Sequence, residues 1–463
     1  MFGRVKRVHF VGVGGIGMSG IAEVLLNLDF TVSGSDIKES SVTRRLASRG
    51  ARIAIGHRAQ NLEDAQVVVY SSAVRPDNPE LVAAREQKLP VIPRAEMLGE
   101  LMRLKFAIAV AGAHGKTTTT SMVATLLAEA GLDPTIVVGG RVLALGTHAM
   151  LGGGQYLVAE ADESDGSFLR LPPTIAIITN IDAEHLDHYK NIEAILDAFV
   201  QFANKVPFYG STIVCLDDPL VQSIIPRLEK RIVTYGLATQ ADITGRVLAT
   251  ADGGSRFEVS SHGVRLGEVA LRMPGEHNVL NALATVALAQ ELQIPFATTA
   301  SGLAAFLGVA RRFEIKAVEN EVVFVDDYGH HPTEIAATLR AAKHSHGRRL
   351  LVVFQPHRYT RTQFLLNEFG RAFFDADSVY VMDIYAASED PIPGVDSSRL
   401  VQALREHGHK RAFYIGDKDQ LTDQVASSIE KGDLVLTLGA GDVTALNEVL
   451  VEKYRRRIEA EPA

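Results

Sequence analysis

With 463 residues, 46% of them hydrophobic and 22% charged, the chain is too long for one ordinary core, and about three domains are expected. A net charge of −8 argues against a nucleic-acid partner, which would need a basic face for phosphate contacts. The single cysteine, Cys215, excludes an internal disulfide framework and a cysteine-rich metal site, and it fits a reducing, cytoplasmic setting.

Arg4, Lys6 and Arg7 precede an apolar run, but glycines and then Glu23 interrupt it, so no secretory signal is expected. No segment reaches about 18 uninterrupted apolar residues, so no membrane span is expected either. Residues 8–13 read as a buried strand, 18–28 as a helix, and 30–33 as the opening of a second strand. Another strand over 65–70 ends at Ser71 and Ser72, and 89–93 reads as a linker. From Phe106 a short strand leads through a glycine loop into a helix over 119–130. Strands follow over 155–159, 174–179 and 213–216, each of the first two ending in acidic or amide residues. Residues 240–272 look like short polar strands and turns, and 277–292 form a long helix. Strands over 322–325, 349–354, 378–382 and 433–438 alternate with helices to the end. Alternation of this kind predicts α/β domains with parallel sheets and ligands at the carboxyl ends of the strands.

The most informative stretch is Ala111-Gly112-Ala113-His114-Gly115-Lys116-Thr117-Thr118. A strand feeding a helix through glycines aims backbone N–H groups and the positive helix end at one point. Lys116 adds a full charge for nucleotide phosphates, and Thr117 offers a hydroxyl to a phosphate-bound Mg²⁺. Val110 stands where the full phosphate-loop pattern has its first glycine, so this is a contracted Gly-x-x-Gly-Lys-Thr variant. It predicts binding of a nucleoside triphosphate.

Gly12-Val13-Gly14-Gly15-Ile16-Gly17, with Ser35 and Asp36 about 20 residues beyond, fits a diphosphate-nucleotide turn. An NAD-linked activity and a nucleotide sugar both remain open, because each carries the same diphosphate and ribose. Glu160 closes a strand beside the phosphate loop, where an acid commonly holds Mg²⁺, whereas most carboxylates of 160–165 read as a solvated loop. His185 and His188 follow the next strand beside acids and could ligate metal or phosphate. Asn278 and Asn281 share a helix face and could serve an adenine edge or simply cap the helix. Arg311 precedes two clusters at strand ends, Asp326-Asp327-Tyr328-Gly329-His330-His331 and Gln355-Pro356-His357-Arg358-Tyr359-Thr360-Arg361. Arginines and histidines there suit a carboxylate or phosphate.

On these residues the chain resembles the Mur ligase family, the ATP-dependent amide ligases of peptidoglycan synthesis, over essentially its whole length. The resemblance implies an N-terminal Rossmann-like domain for the uridine nucleotide (1–103), a central P-loop-type ATPase domain (104–311) and a C-terminal Rossmann-like domain (312–463). It implies ATP and Mg²⁺ or Mn²⁺ as cofactors, with UDP-N-acetylmuramate and L-alanine as substrates in a cytoplasmic monomer or homodimer. Gly112, Ala113, His114, Gly115, Lys116, Thr117, Thr118, Asn278, Asn281 and Arg311 would hold ATP, and Thr117, Glu160 and His185 the metal. Gly12, Gly14, Gly15, Gly17, Ser35, Asp36, Ser71, Tyr328, His357 and Arg361 would bind substrate. Lys116, Glu160, His185, His330 and Arg358 would act in catalysis. The alternative within the family attaches a preformed tripeptide to the same sugar. The Gln-Pro-His-Arg-Tyr-Thr-Arg segment favours the single amino acid.

Overall fold

Runs rich in Val, Ile and Ala become the central strands of three mostly parallel sheets. They belong to a computed structural model describing residues 5–71, 73–143, 147–251, 253–387 and 389–460; Arg4 and Ser72 lie outside these. The first sheet holds β1 (Arg7–Val11), β2 (Thr31–Asp36), β3 (Arg52–Ile55), β4 (Val67–Tyr70) and β5 (Val91–Pro93). Its order is β3-β2-β1-β4-β5, all parallel, so the chain reverses direction beside β1. That reversal opens a crevice at the β1 carboxyl end, where the first glycine loop lies. The expected linker over 89–93 is instead partly this edge strand, with Val91 and Ile92 opposite Val68 and Val69. Proline is tolerated because the strand lies at the sheet edge.

The second sheet comprises β6 (Phe106–Ala111), β7 (Thr135–Val142), β8 (Thr147–Met150), β9 (Tyr156–Glu160), β10 (Ile175–Ile178), β11 (Ser211–Cys215), β12 (Ile232–Gly236), β13 (Ile243–Ala251), β14 (Gly254–Ser261) and β15 (Val264–Leu271). Their order is β15-β14-β13-β12-β11-β10-β6-β9-β7-β8. β6 thus runs between β9 and β10, and the phosphate loop emerges between their carboxyl ends. The short polar strands expected over 240–272 are three strands of 9, 8 and 8 residues. Burial at alternate positions, as at Ser255, Phe257 and Val259, gives them a polar look in sequence.

The third sheet orders β16 (Glu314–Glu319), β17 (Val322–Asp327), β18 (Leu350–Phe354), β19 (Ser378–Val381), β20 (Ala412–Tyr414) and β21 (Leu434–Leu438) as β16-β17-β21-β18-β19-β20. Only β16 is antiparallel, and it and β20 were not legible as strands. Alternate residues feed two cores, Val325, Val352 and Leu436 on one face, Phe324, Leu351 and Val435 on the other. No helix among the described residues is long and apolar enough to cross a membrane.

Contacts divide the chain into two compact units: Met1–Arg246 with Glu258–Val269 and Leu280–Leu307, and Val247–Phe257 with Ala270–Val279 and Gly308–Ala463. In the first, the helix Arg94–Met102 seats on the turn Ser167–Arg170, with Leu98, Leu101, Phe168 and Leu171 in one core. A Cβ on Gly99 would stand 2.8 Å from the Arg170 carbonyl oxygen, so only glycine allows this approach. Gly99→Ala is expected to cost about 1–3 kcal/mol through forced separation of two backbones. A thermal midpoint equal to that of the unsubstituted chain would show that the helix and turn part freely.

Candidate active site

The phosphate loop is held before any ligand arrives. Gly112 and Gly115 have φ of 133° and 80°, values that a side chain strains. A Cβ on Gly115 would also lie 2.6 Å from Asn281 Oδ1. Asn180 grips the loop from the β10 end, accepting from Ala113 N at 3.2 Å and from His114 N at 2.8 Å. The His114 ring reaches Asp182 at 3.0 Å. The helix spans Lys116–Glu129 rather than starting at residue 119. Its threonines are accommodated because Thr120 and Ser121 hydroxyls donate to the carbonyls of Lys116 and Thr117, both at 2.7 Å. Thr118 is buried at the helix start.

Lys116 curls back over the loop, its Nζ donating to Gly112 O at 2.6 Å and to both Glu163 oxygens at 2.9 Å. Thr117 Oγ1 donates to the Glu160 carboxylate at 3.0 Å, joining two residues that the sequence placed in one site. The acidic run after β9 is not the solvated loop expected. Glu163 is only 3% exposed, and Ser164 N donates to Asp162 at 3.1 Å. Glu163, Glu184 and His185 place ligand atoms within 4.8 Å of one another. His185 therefore groups with two acids that sequence reasoning passed over, and Glu160 stands in a separate pair with Thr117. No local signal singles out Glu163 within the acidic run, because its partner Lys116 lies 47 residues earlier. His188 is exposed, with its ring edge-on to Tyr189.

The first glycine loop is tied to β2. Gly12 N and Val13 N donate to Ser35 O at 2.9 and 3.0 Å, and Gly14 N donates to Asp36 Oδ2 at 2.8 Å. Gly15 caps the helix Ile16–Asn27, and Gly17 lies in its first turn. Ser71 N donates to Val11 O at 3.2 Å, which sets Ser71 beside Gly12. The Ser35 hydroxyl does not face the loop. It donates to the fully buried Glu80 at 2.5 Å, a carboxylate that also accepts from Asn61, Arg58 N and His9. Ser35 therefore serves the loop through its carbonyl, and Asp36 through Gly14 N. Glu80 was missed because a charged residue inside a short helix reads as surface.

In the second unit, Arg311 and Arg312 both lie over the Tyr328 ring, 5.0 and 5.1 Å from its centroid. Arg311 also donates to Gly439 O at 2.7 Å. Tyr328, His330, His357 and Tyr385 form a chain of ring contacts 5.3 to 5.6 Å apart. Arg361 approaches His357 Nδ1 at 3.4 Å, and Arg358 is exposed with a φ of 71°. Asn278 turns its amide back to Pro274 O at 2.8 Å, the capping role left open by its sequence.

Two anion-ready loops and this aromatic-basic cluster match a known pattern along the chain. Residues 7–106 match the Mur ligase family, catalytic domain; 110–289 match the Mur ligase middle domain; 311–441 match the Mur ligase, glutamate ligase domain. The chain belongs to the Mur ligase family. It is 56% identical to the UDP-N-acetylmuramate–L-alanine ligase of Geotalea uraniireducens, covering 98% of this chain and 99% of that one. It is 57% identical to the enzyme of the same name from Sorangium cellulosum, over 99% and 97%. The crystal structure of the UDP-N-acetylmuramate-alanine ligase of Thermotoga maritima aligns with a TM-score of 0.81 and 32% identity, covering 97% and 99%. A murein peptide ligase from Psychrobacter arcticus shares the fold at 23% identity, with a TM-score of 0.71 over 97% and 98%.

In this Mur ligase, charge is sorted by surroundings. Burial pulls the Lys116 ammonium down, but Glu163, Asp162 and Glu160 outweigh it and hold the cation charged. In the second unit burial lowers His330 to about 3 and His277 to about 4, with Arg361 and Arg312 respectively adding to the effect. Burial and the adjacent Arg361 lower His357 to about 4. Asp327 is raised to about 6 by burial. A histidine held below its unfolded value stabilises the fold above that value and loses the contribution as pH falls through the folded one. Asp327 acts in the opposite sense, gaining as pH falls below about 6. Stability is expected to drop from about pH 7 to about pH 5 by about 2 kcal/mol for each of His277, His330 and His357, less the Asp327 gain. Denaturant titrations check this, and His330→Gln should flatten the dependence.

Proposed function

We propose that this chain is an ATP-dependent ligase joining L-alanine to the carboxylate of UDP-N-acetylmuramate, giving ADP and phosphate for peptidoglycan precursor synthesis. The 56% identity along 98% of the chain to a ligase of that name carries the reading. The two pre-held glycine loops support it, one suited to each nucleotide. Nucleotide substrates suit a cytoplasmic enzyme.

A carboxylate is a poor acyl donor, because an amine cannot expel oxide from it. Transfer of the γ-phosphoryl group makes an acyl phosphate, which the alanine amine attacks and from which phosphate leaves. Lys116 and the loop amides neutralise charge on the ATP phosphates. Thr117 with Glu160 fits one divalent cation, and His185 with Glu163 and Glu184 fits a second; hard oxygen donors suit Mg²⁺ or Mn²⁺. Bound there, such ions would stabilise the charge of the transferring phosphoryl group. Arg358 and Arg361 suit the alanine carboxylate through their forked donors. His330 and His357, kept neutral by burial and by Arg361, stay uncharged beside the arginines and can accept a hydrogen bond from the incoming amine.

Lys116→Ala is expected to lower turnover by orders of magnitude while leaving nucleotide-sugar binding intact. Normal turnover would remove Lys116 from the site. Glu160→Gln, Glu163→Gln and His185→Ala should each shift the Mg²⁺ titration of activity, since each loses a ligand; unchanged titrations would remove them from the metal set. The deciding experiment incubates protein, Mg-ATP and UDP-N-acetylmuramate with L-alanine, glycine, L-serine or tripeptide, and identifies products by mass. L-alanine is expected to react fastest, with glycine and serine slower because one small group shifts discrimination by only about 1–3 kcal/mol. Preference for the tripeptide, or no adduct at all, would overturn the reading.

A further inference from the structure

We propose that Arg94 is a binding residue for the diphosphate of the nucleotide-sugar substrate, an assignment that rests on the function proposed above. Arg94 opens the helix Arg94–Met102 directly after β5, at the carboxyl edge of the first sheet. Its side chain lies on the first glycine loop. A Cβ on Gly17 would stand 2.8 Å from Arg94 Nη1 and 3.2 Å from Cδ. Glycine at position 17 thus leaves the guanidinium its place.

Arg94 is half-buried, yet among the described residues its guanidinium makes no hydrogen bond or ion pair. The acid in its own first turn, Glu96, is engaged elsewhere, with Arg170 at 3.0 Å. A cation at a helix N-terminus is also disfavoured by the helix dipole, and Asp162, the acid it acts on electrostatically, makes no hydrogen bond or ion pair with it. An anionic ligand accounts for the guanidinium. Residues 12–17 contain no lysine, and Asp36, the acid beside them, is negative and already takes Gly14 N. A diphosphate entering beside that carboxylate needs a counter-charge, and a forked guanidinium supplies two parallel donors.

Arg94 also acts electrostatically on Asp162, beyond β9. It is thus within electrostatic range of the central acidic turn, and the sugar's carboxylate is the other anion it could meet. Direct contact is with the glycine loop, which favours the diphosphate over that carboxylate.

Calorimetry on the full chain with UDP, uridine, UDP-N-acetylmuramate and ATP tests the assignment. Arg94→Met is expected to weaken UDP and UDP-N-acetylmuramate by roughly 10- to 100-fold, as for loss of a charged hydrogen-bonding partner. Uridine and ATP affinities should stay within about twofold, a pattern that loss of packing alone would not give. Arg94→Lys should recover part of the loss, and a thermal midpoint near that of the unsubstituted chain secures the comparison. Unchanged UDP affinity in Arg94→Met overturns the proposal. So does a loss confined to UDP-N-acetylmuramate, which would assign the arginine to the sugar's carboxylate. If the unsubstituted chain binds neither UDP nor UDP-N-acetylmuramate, the proposed function falls with it, whereas an indifferent Arg94→Met against a binding parent removes this inference alone.

Discussion

The Lys116 ammonium must have carboxylates around it, and much of the central site is arranged to meet that need. A buried cation without a counter-charge would lose its proton or force the loop open. Glu163 meets it at 2.9 Å through both oxygens, and the Gly112 carbonyl takes a further donor. The turn after β9 is bent inward to deliver that acid, and Tyr189 OH fastens it at the Glu163 carbonyl, 2.6 Å away. The same acid lies beside His185 and Glu184. One carboxylate thus belongs both to the lysine and to the group able to hold a divalent ion, which couples loop geometry to metal binding.

Such a pair is a weak source of net stability, because desolvating two charges offsets most of their attraction. Its value is positional. Bonded to the loop's own carbonyls and to Glu163, the ammonium is held beside the glycine loop, and one of these bonds must yield when a phosphate oxygen takes a donor. Removing Glu163 would leave a buried cation with Asp162 and Glu160 as remaining neighbours, so its loss and the loss of Lys116 differ in kind.

Legibility in the sequence followed the physics of each element. Buried parallel strands such as β6, β10 and β18 are near-continuous apolar runs and stood out. Of the strands over 243–271, β14 and β15 bury alternate positions and β13 buries only Ile243 among its described side chains, and β5 is a three-residue edge strand ending in proline. Neither leaves a strong local signal. Glycines and Lys116 were legible because few other roles use them together. Glu163 and Glu80 were not, because their burial depends on partners distant in sequence: Lys116 for one, Ser35, Asn61 and His9 for the other. Ser35 and Asp36 were placed at the right strand end; that Ser35 holds the loop through its carbonyl and Asp36 through its carboxylate needed the structure.

The two glycine loops use one device with different electrostatics. Each leaves the end of a parallel strand and is tied by its neighbour: Ser35 O receives Gly12 N and Val13 N, and Asn180 receives Ala113 N and His114 N. In both, the backbone is pre-organised for an anion, so little conformational entropy remains to be lost on binding. The central loop adds its own lysine, and through Thr117 and Glu160 a hydroxyl and carboxylate for metal, which suits a triphosphate whose terminal group must leave. The first loop adds instead a carboxylate at Gly14 N and an arginine from a separate helix against Gly17. It holds charge without a metal pair. A diphosphate that must stay intact is better served by such a site, where donors grip the oxygens and nothing polarises the phosphorus for attack.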